Sequence, residues 1–327
     1  MLELSLACQI NDRTRALIDR KVEIEGCTIN FVHGPAEELF QRAFRHGEFD
    51  MSELSLGTHL LTTARGESRY IGVPVFLSRS FRHSAIYVRS DRGIDSPQAL
   101  KGRRIGVPDF QQTAGIWVRG MLADEYGVDS RDVRWVVGGL EQAGREARVP
   151  YSLPPDIRVE PIAANQTLAK LLEAGELDAV IAPRPPSCFG HHECVQRLFP
   201  DFRVKEEAWF AKTGLFPPMH VLGIRRSLVE RHPWLPVNVY AAFRISRDMA
   251  LAELAITDTL RVMHPWITSE YERVKALMGS DYWRYGICEN RVDLDTLQRY
   301  ARNDGLIQQD VPIESLFASS TFDGFNF

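Results

Sequence analysis

Cysteine is scarce, with five in 327 residues (Cys8, Cys27, Cys188, Cys194 and Cys288), an odd and widely spread set. That excludes a disulfide framework and fits a reducing compartment, so the cytoplasm is the expected location. Long apolar runs are missing as well. No stretch approaches the roughly 18 consecutive apolar residues of a membrane span, because Arg, Asp or Pro interrupts each one. The opening Met1–Cys8 has no basic segment and carries Glu3, so it reads as a first strand and not as an export signal. Lysine is nearly absent, six residues against 33 arginines, and the 39 basic residues lie scattered among 43 acidic ones for a net charge of -4. A basic face that would grip nucleic acid is therefore not expected, nor is a membrane partner, and a small molecule becomes the default ligand. There is no G-x-G-x-x-G, P-loop, G-x-S-x-G or H-E-x-x-H motif, which removes dinucleotide, nucleoside triphosphate, serine esterase and zincin chemistry as motif-based readings.

What is present is a chain with 44% hydrophobic and 25% charged residues, enough for about two compact domains. Leu2, Leu4, Leu6 and Cys8 alternate with polar residues, Asp12 to Arg20 has helical spacing, and Thr28 to Val32 returns to strand character, which is the opening of a β-α-β unit. Ala36 to His46 reads as helix, Phe49 to Met51 as a short strand, and Ser52 as the cap of a helix through Leu60. Ile71 to Leu77, Ser84 to Val88, Arg104 to Val107, Val133 to Val137, Ala179 to Ile181 and Met219 to Ile224 are further strands. Helices are expected over Ile116 to Tyr126, Thr167 to Ala174, Ser227 to Arg231, Val237 to Val262, Ser269 to Leu277 and Leu294 to Asn303, with a Pro/Gly-rich excursion from Gly138 to Pro161. The pattern predicts two α/β lobes, one from residues 1–88 plus 220–327 with a helical C-terminal tail, the other from 89–219, and a ligand cleft between them. The tail aromatics Trp234, Tyr240, Phe243, Trp266 and Tyr282 are either core or a surface that pairs copies of the chain.

Several polar positions suit chemistry. Arg82 and His83 stand together in the short cationic loop Ser78–His83, where an arginine can bind a carboxylate through two parallel hydrogen bonds and a histidine can titrate near neutrality. Glu53, placed just inside the helix that Ser52 caps, can accept a hydroxyl proton or hold His83 in one tautomer; the competing reading is an ordinary first-turn acid. Arg13 and Ser55 follow strands on the same side, Gln111, Gln112 and Thr113 open a helix whose first amides suit an anion, and Arg184 is fixed by the prolines around it. His220 begins a strand and is either a site residue or a buried, hydrogen-bonded core histidine. Cys188, His191, His192 and Cys194 carry metal-ligand types at a spacing unlike common zinc sites, and no metal or other cofactor is expected.

The stretches Asn11–Leu17, Phe49–Ser55, Arg79–Arg89, Thr113–Gly120 and Thr213–His220 resemble the cytoplasmic 4,5-dihydroxyphthalate decarboxylases, within the type II periplasmic binding-protein fold. The resemblance spans about residues 2–226 and is looser in the helical tail. It implies an aromatic dicarboxylate as substrate and its loss of one carboxylate as CO2 by general acid–base catalysis, without an organic cofactor. On it, Arg79 joins Arg13, Ser55, Arg82, Gln111, Gln112, Thr113 and Arg184 as substrate-binding candidates, with His83, Glu53 and His220 as catalytic ones. Two alternatives stay open: a solute-binding or sensing protein on the same scaffold, and an enzyme acting on another hydroxylated aromatic acid.

Overall fold

The computed structural model describes residues 1–144 and 146–322. In chain order the strands are β1 (Leu2–Ala7), β2 (Cys27–Val32), β3 (Met51–Ser55), β4 (Tyr70–Arg79), β5 (Ile86–Arg89), β6 (Arg104–Val107), β7 (Arg134–Val137), β8 (Arg158–Pro161), β9 (Ala179–Ile181), β10 (Val195–Arg197) and β11 (Pro218–Arg225). The helices are α1 (Asp12–Ile18), α2 (Ala36–Gln41), α3 (Leu56–Ala64), α4 (Thr113–Tyr126), α5 (Leu168–Glu173), α6 (Phe202–Thr213), α7 (Arg226–Arg231), α8 (Leu235–Leu254), α9 (Ile267–Met278) and α10 (Arg291–Asn303). None of the described helices is long and apolar enough to cross a membrane.

The chain divides into two compact units. The first comprises Met1–Arg79, Pro218–Leu294 and Val311–Phe327; the second comprises Ser80–Pro217 and Asp295–Asp310. The first boundary falls before β5 because β5 pairs with β9 and β10 inside the second sheet. Asp295–Asp310, read from the sequence as part of the first lobe, belongs with the second unit: Arg119 is paired at 2.8 Å with Asp304, which also takes the Ser130 hydroxyl.

The first unit is built on a five-stranded sheet in the order β2-β1-β3-β11-β4. β1 runs parallel to β2 and β3, as short crossovers through α1 and α2 require, whereas β11 is antiparallel to both β3 and β4. Every residue of β3 is buried, so this central strand shows no alternation in its exposure. β11 lies close against it because Gly223 has no side chain; a Cβ there would overlap Leu54. α8 packs on α1 and β4 through Leu235, Val239, Ala242, Phe243, Ser246 and Ala250, one face at helical spacing. It stops at Leu254, not at Val262 as the apolar pattern predicts, where Ile256, Thr257, Asp258 and Thr259 bring low helix propensity. Of the tail aromatics, Phe243 is core, while Trp266 is 69% exposed.

The second unit holds a six-stranded sheet in the order β10-β5-β9-β6-β7-β8. β9, β6, β7 and β8 are parallel, and β5 and β10 join antiparallel at one side. Tyr87, Val136, Leu168, Leu172, Leu177 and Val180 form its core together with Cys188 and Val195. The Gly138–Pro161 excursion ends in edge strand β8; position 145 within it lies outside the described residues.

Candidate active site

In the first unit, Glu53 lies on β3 and not at the start of a helix. The helix begins at Leu56, with Ser55 as its N-cap. The Ser52–Glu53 pair imitates a helix start, but five successive buried positions between two neighbouring strands make this a central strand. Across the antiparallel β3–β11 ladder Glu53 stands opposite Leu222 and Ser55 opposite His220. Glu53 and His220 are therefore diagonal neighbours on one face, where their side chains meet.

The contact is short: His220 Nδ1 lies 2.6 Å from Glu53 Oε1. The other carboxylate oxygen accepts the Gln9 amide at 2.8 Å, at the end of β1. Burial alone would push this carboxyl up, but the His220 hydrogen bond and charge, the Gln9 amide and the Arg13 charge outweigh it and hold Glu53 below the ordinary carboxylate value. An ionised Glu53 can only accept, so Nδ1 of His220 carries the shared proton. Phe40 of α2 meets the imidazole edge-on, with ring centroids 4.8 Å apart. His220 is 18% exposed while Glu53 is 1% exposed, so the histidine is not a sealed core residue. Burial and the Glu53 charge push the neighbouring Cys8 thiol far up, which keeps it an unreactive neutral thiol.

The other candidates of this unit divide. Arg13 donates to Asp12 at 2.6 Å and to the Leu77 carbonyl at 3.2 Å, and its guanidinium lies over the Trp283 ring. Ser55 accepts the Thr58 hydroxyl at 3.3 Å. Arg79, expected to bind substrate, is instead consumed structurally. Its side chain is fully buried, paired with Asp293 at 3.1 Å, and donates to the Arg284 carbonyl and the Asn290 side chain. A guanidinium shut away from water requires such a set of acceptors.

In the second unit, His83 opens a short 3-10 turn with Arg82 just before it. Glu206 of α6 is the carboxylate beside His83, so the sequence expectation that Glu53 orients this histidine is replaced by two separate pairs, Glu53 with His220 and Glu206 with His83. Burial lowers Arg82 to about 10 despite the opposing charges of Glu206 and Tyr87. Gln111 is buried and donates to the Val149 carbonyl at 2.8 Å; Gln112 is the N-cap of α4 and Thr113 its first residue. Arg184 is exposed. The Cys188 thiol donates to the Ala169 carbonyl at 3.6 Å, and His192 Nδ1 accepts the Cys194 amide. Among the described residues no three His, Cys, Asp or Glu side chains, this cluster included, come together to hold a metal.

Gln9, Phe40 and Glu206 escaped the sequence reading. Gln9 acts through its backbone, Phe40 looks like any core aromatic, and Glu206 sits in the charge run Lys205–Glu207 of an ordinary surface helix.

Comparison with known proteins joins this geometry to chemistry. A curated Comamonas testosteroni protein named 4,5-dihydroxyphthalate decarboxylase is 43% identical over 325 residues, covering 99% of this chain and 98% of that protein. A Pseudomonas putida protein of the same name is 47% identical over 210 residues, covering 64% of this chain and 81% of its own length. The family model described as ABC transporter, phosphonate, periplasmic substrate-binding protein matches residues 10–144. Among solved structures, the periplasmic aliphatic sulphonate binding protein of Escherichia coli aligns with a TM-score of 0.54 at 14% identity, over 98% of this chain and 99% of that one. An Archaeoglobus fulgidus protein aligns with a TM-score of 0.53 at 17% identity, over 93% of this chain and 98% of that one. These two show a shared binding-protein-like fold.

Proposed function

The chain belongs to the 4,5-dihydroxyphthalate decarboxylase family and is a carboxy-lyase, and we propose that His220, held by Glu53, moves the proton in its reaction. The substrate is 4,5-dihydroxyphthalate and the products are 3,4-dihydroxybenzoate and CO2. The observation that carries the residue assignment is the 2.6 Å contact between a buried, ionised carboxylate and a partly exposed imidazole. It leaves Nδ1 protonated and directs Nε2 away from Glu53 as the working nitrogen.

Each hydroxyl of the substrate is para to a carboxyl-bearing carbon. Nε2 of His220 draws the proton from one hydroxyl, and the electron pair passes through the ring to that para carbon. Glu53 stabilises the imidazolium so formed, as a buried carboxylate beside a histidine does. The imidazolium returns the proton to the ring carbon, giving a dienone. The bond from that carbon to the carboxylate then breaks, its electron pair restores the aromatic ring and the phenolate, and CO2 leaves. The phenolate takes a proton from water, so each turnover consumes one proton.

Arg13, whose charge already reaches Glu53, is assigned to a substrate carboxylate, and Ser55 to a hydroxyl. His83 is retained as a further proton-transfer group and Arg82 as a carboxylate ligand, supported by their place in a buried cluster of titratable groups. The test is incubation of the purified protein with 4,5-dihydroxyphthalate, before and after chelator treatment, with CO2 and 3,4-dihydroxybenzoate followed by mass spectrometry. Turnover supports the decarboxylation of this substrate. Tight binding with the compound returned intact contradicts it and favours a receptor, the activity for which the sulphonate-binding relative is named.

A further inference from the structure

The reaction above gives His83 a part in proton transfer but leaves the acid beside it, Glu206, without a role. The His83 ring is 1% exposed and is wedged between the edges of Phe199 and Trp209, at centroid distances of 5.4 and 5.7 Å. Its Nδ1 is buried with no hydrogen-bond partner among the described residues. The group facing that nitrogen is Glu206 Oε1, 4.0 Å away, on a side chain 13% exposed. The same oxygen accepts the Ser84 amide at a long 3.4 Å, the His83 amide also acts on this carboxylate, and rotation of the glutamate side chain closes the gap to Nδ1. The other charged or titratable groups here are Lys205, which faces His83; Arg82 and Arg197, which face Glu206; and Tyr87, which faces both arginines.

We propose that Glu206 is a positioning residue that decides which ring nitrogen of His83 carries the proton. A neutral Glu206 has an O–H to donate, so Nδ1 accepts and the ring proton sits on Nε2. An ionised Glu206 can only accept, so Nδ1 takes the ring proton and Nε2 is left bare as a base. The proton that Glu206 loses goes to water, and the ring proton only changes nitrogen. Burial lowers the imidazole to about 4, so His83 stays neutral through the physiological range and tautomer exchange is its available response. Burial raises Glu206 to about 7, against the Ser84 and His83 amides and the Arg82 and Arg197 charges, so the exchange falls near neutrality. The contact that couples the two groups is the 4.0 Å approach of Glu206 Oε1 to the buried Nδ1; the effect of the exchange on turnover rests on the assignment of His83 to proton transfer.

The experiment is nuclear magnetic resonance of the full chain carrying isotope-labelled histidine, with the His83 signal identified by its loss in His83→Gln. In the unaltered protein the ring proton should move from Nε2 to Nδ1 between about pH 5.5 and about pH 8.5, with a midpoint near 7. Glu206→Gln, which keeps the shape and an acceptor for Ser84, should hold one tautomer throughout. It should also lose the tenfold-per-unit fall in turnover that a titrating group imposes below its midpoint, roughly pH 7, with KM unchanged. The same tautomer at both pH extremes in the unaltered protein, or an exchange that persists unchanged in Glu206→Gln, overturns the inference. Full turnover in His83→Gln overturns the catalytic reading of His83 while the tautomer result stands or falls separately.

Discussion

His220 Nδ1 and Glu53 Oε1 lie 2.6 Å apart across a strand pair whose register places them diagonally on one face of the first unit's sheet. Three features of the fold hold that contact: a fully buried β3, a glycine that lets β11 approach, and a backbone amide on the second carboxylate oxygen. A carboxylate that orients a histidine and stabilises its protonated form is a recurrent way to make imidazole an effective base.

Glu53→Gln keeps the shape and removes the charge. Turnover should fall by about 100-fold or more, with little change in KM, because the imidazolium loses its counter-charge only when it forms. Steady-state kinetics checks this. The folded-state carboxyl lies below its ordinary value of 4.5, so its contribution to stability is present above that pH and is lost as the pH falls through the depressed value. Acid unfolding of Glu53→Gln should therefore depend less steeply on pH than that of the unaltered chain.

Arg79→Met should damage stability and not recognition. Removing one member of a buried pair takes the guanidinium charge away from Asp293 and costs about 3–5 kcal/mol. Denaturant melts should show that loss, the double variant Arg79→Met/Asp293→Leu should recover part of it, and KM of the folded enzyme should stay unchanged.

Glu206 makes the opposite demand on pH. Its folded value, raised to about 7 from 4.5, means that the stabilisation is complete below 4.5 and is lost as the pH rises through about 7. Relative to Glu206→Gln, the unaltered protein should lose up to about 3 kcal/mol between those limits, as measured by denaturant melts at a series of pH values.

Cys188→Ala should be a packing change. The thiol is buried against the Ala169 carbonyl and raised by that burial, so added zinc should leave the melting temperature and turnover of the parent protein unchanged. A zinc-dependent rise in melting temperature lost in Cys188→Ala would place a metal there instead.

The α/β order was legible because hydrophobic periodicity reports local structure; β1, β6, β7, β9 and β11 fall within a residue or two of their sequence positions, whereas the short strands β8 and β10 gave no such signal. Glu53 was legible as a side chain suited to proton chemistry but not as a strand residue, since Ser52, Glu53 and Ser55 break the apolar pattern of a central strand. Such breaks concentrate at functional positions. The partner of each charged group was not legible. Glu53 and His220 are 167 residues apart, and Arg79 and Asp293 are 214 apart, so only the folded register brings them together. Arg79 and Arg82 look alike in one loop, yet the first ends in a sealed ion pair and the second beside a histidine and a glutamate.

The most direct measurement is the rate of CO2 release from saturating 4,5-dihydroxyphthalate by the unaltered protein and by His220→Asn, with binding followed by calorimetry. The dyad predicts a rate lower by about 100- to 10,000-fold with substrate affinity retained. A His220→Asn protein that releases CO2 within about twofold of the parent rate would contradict it, because a proton-transfer group contributes far more than that.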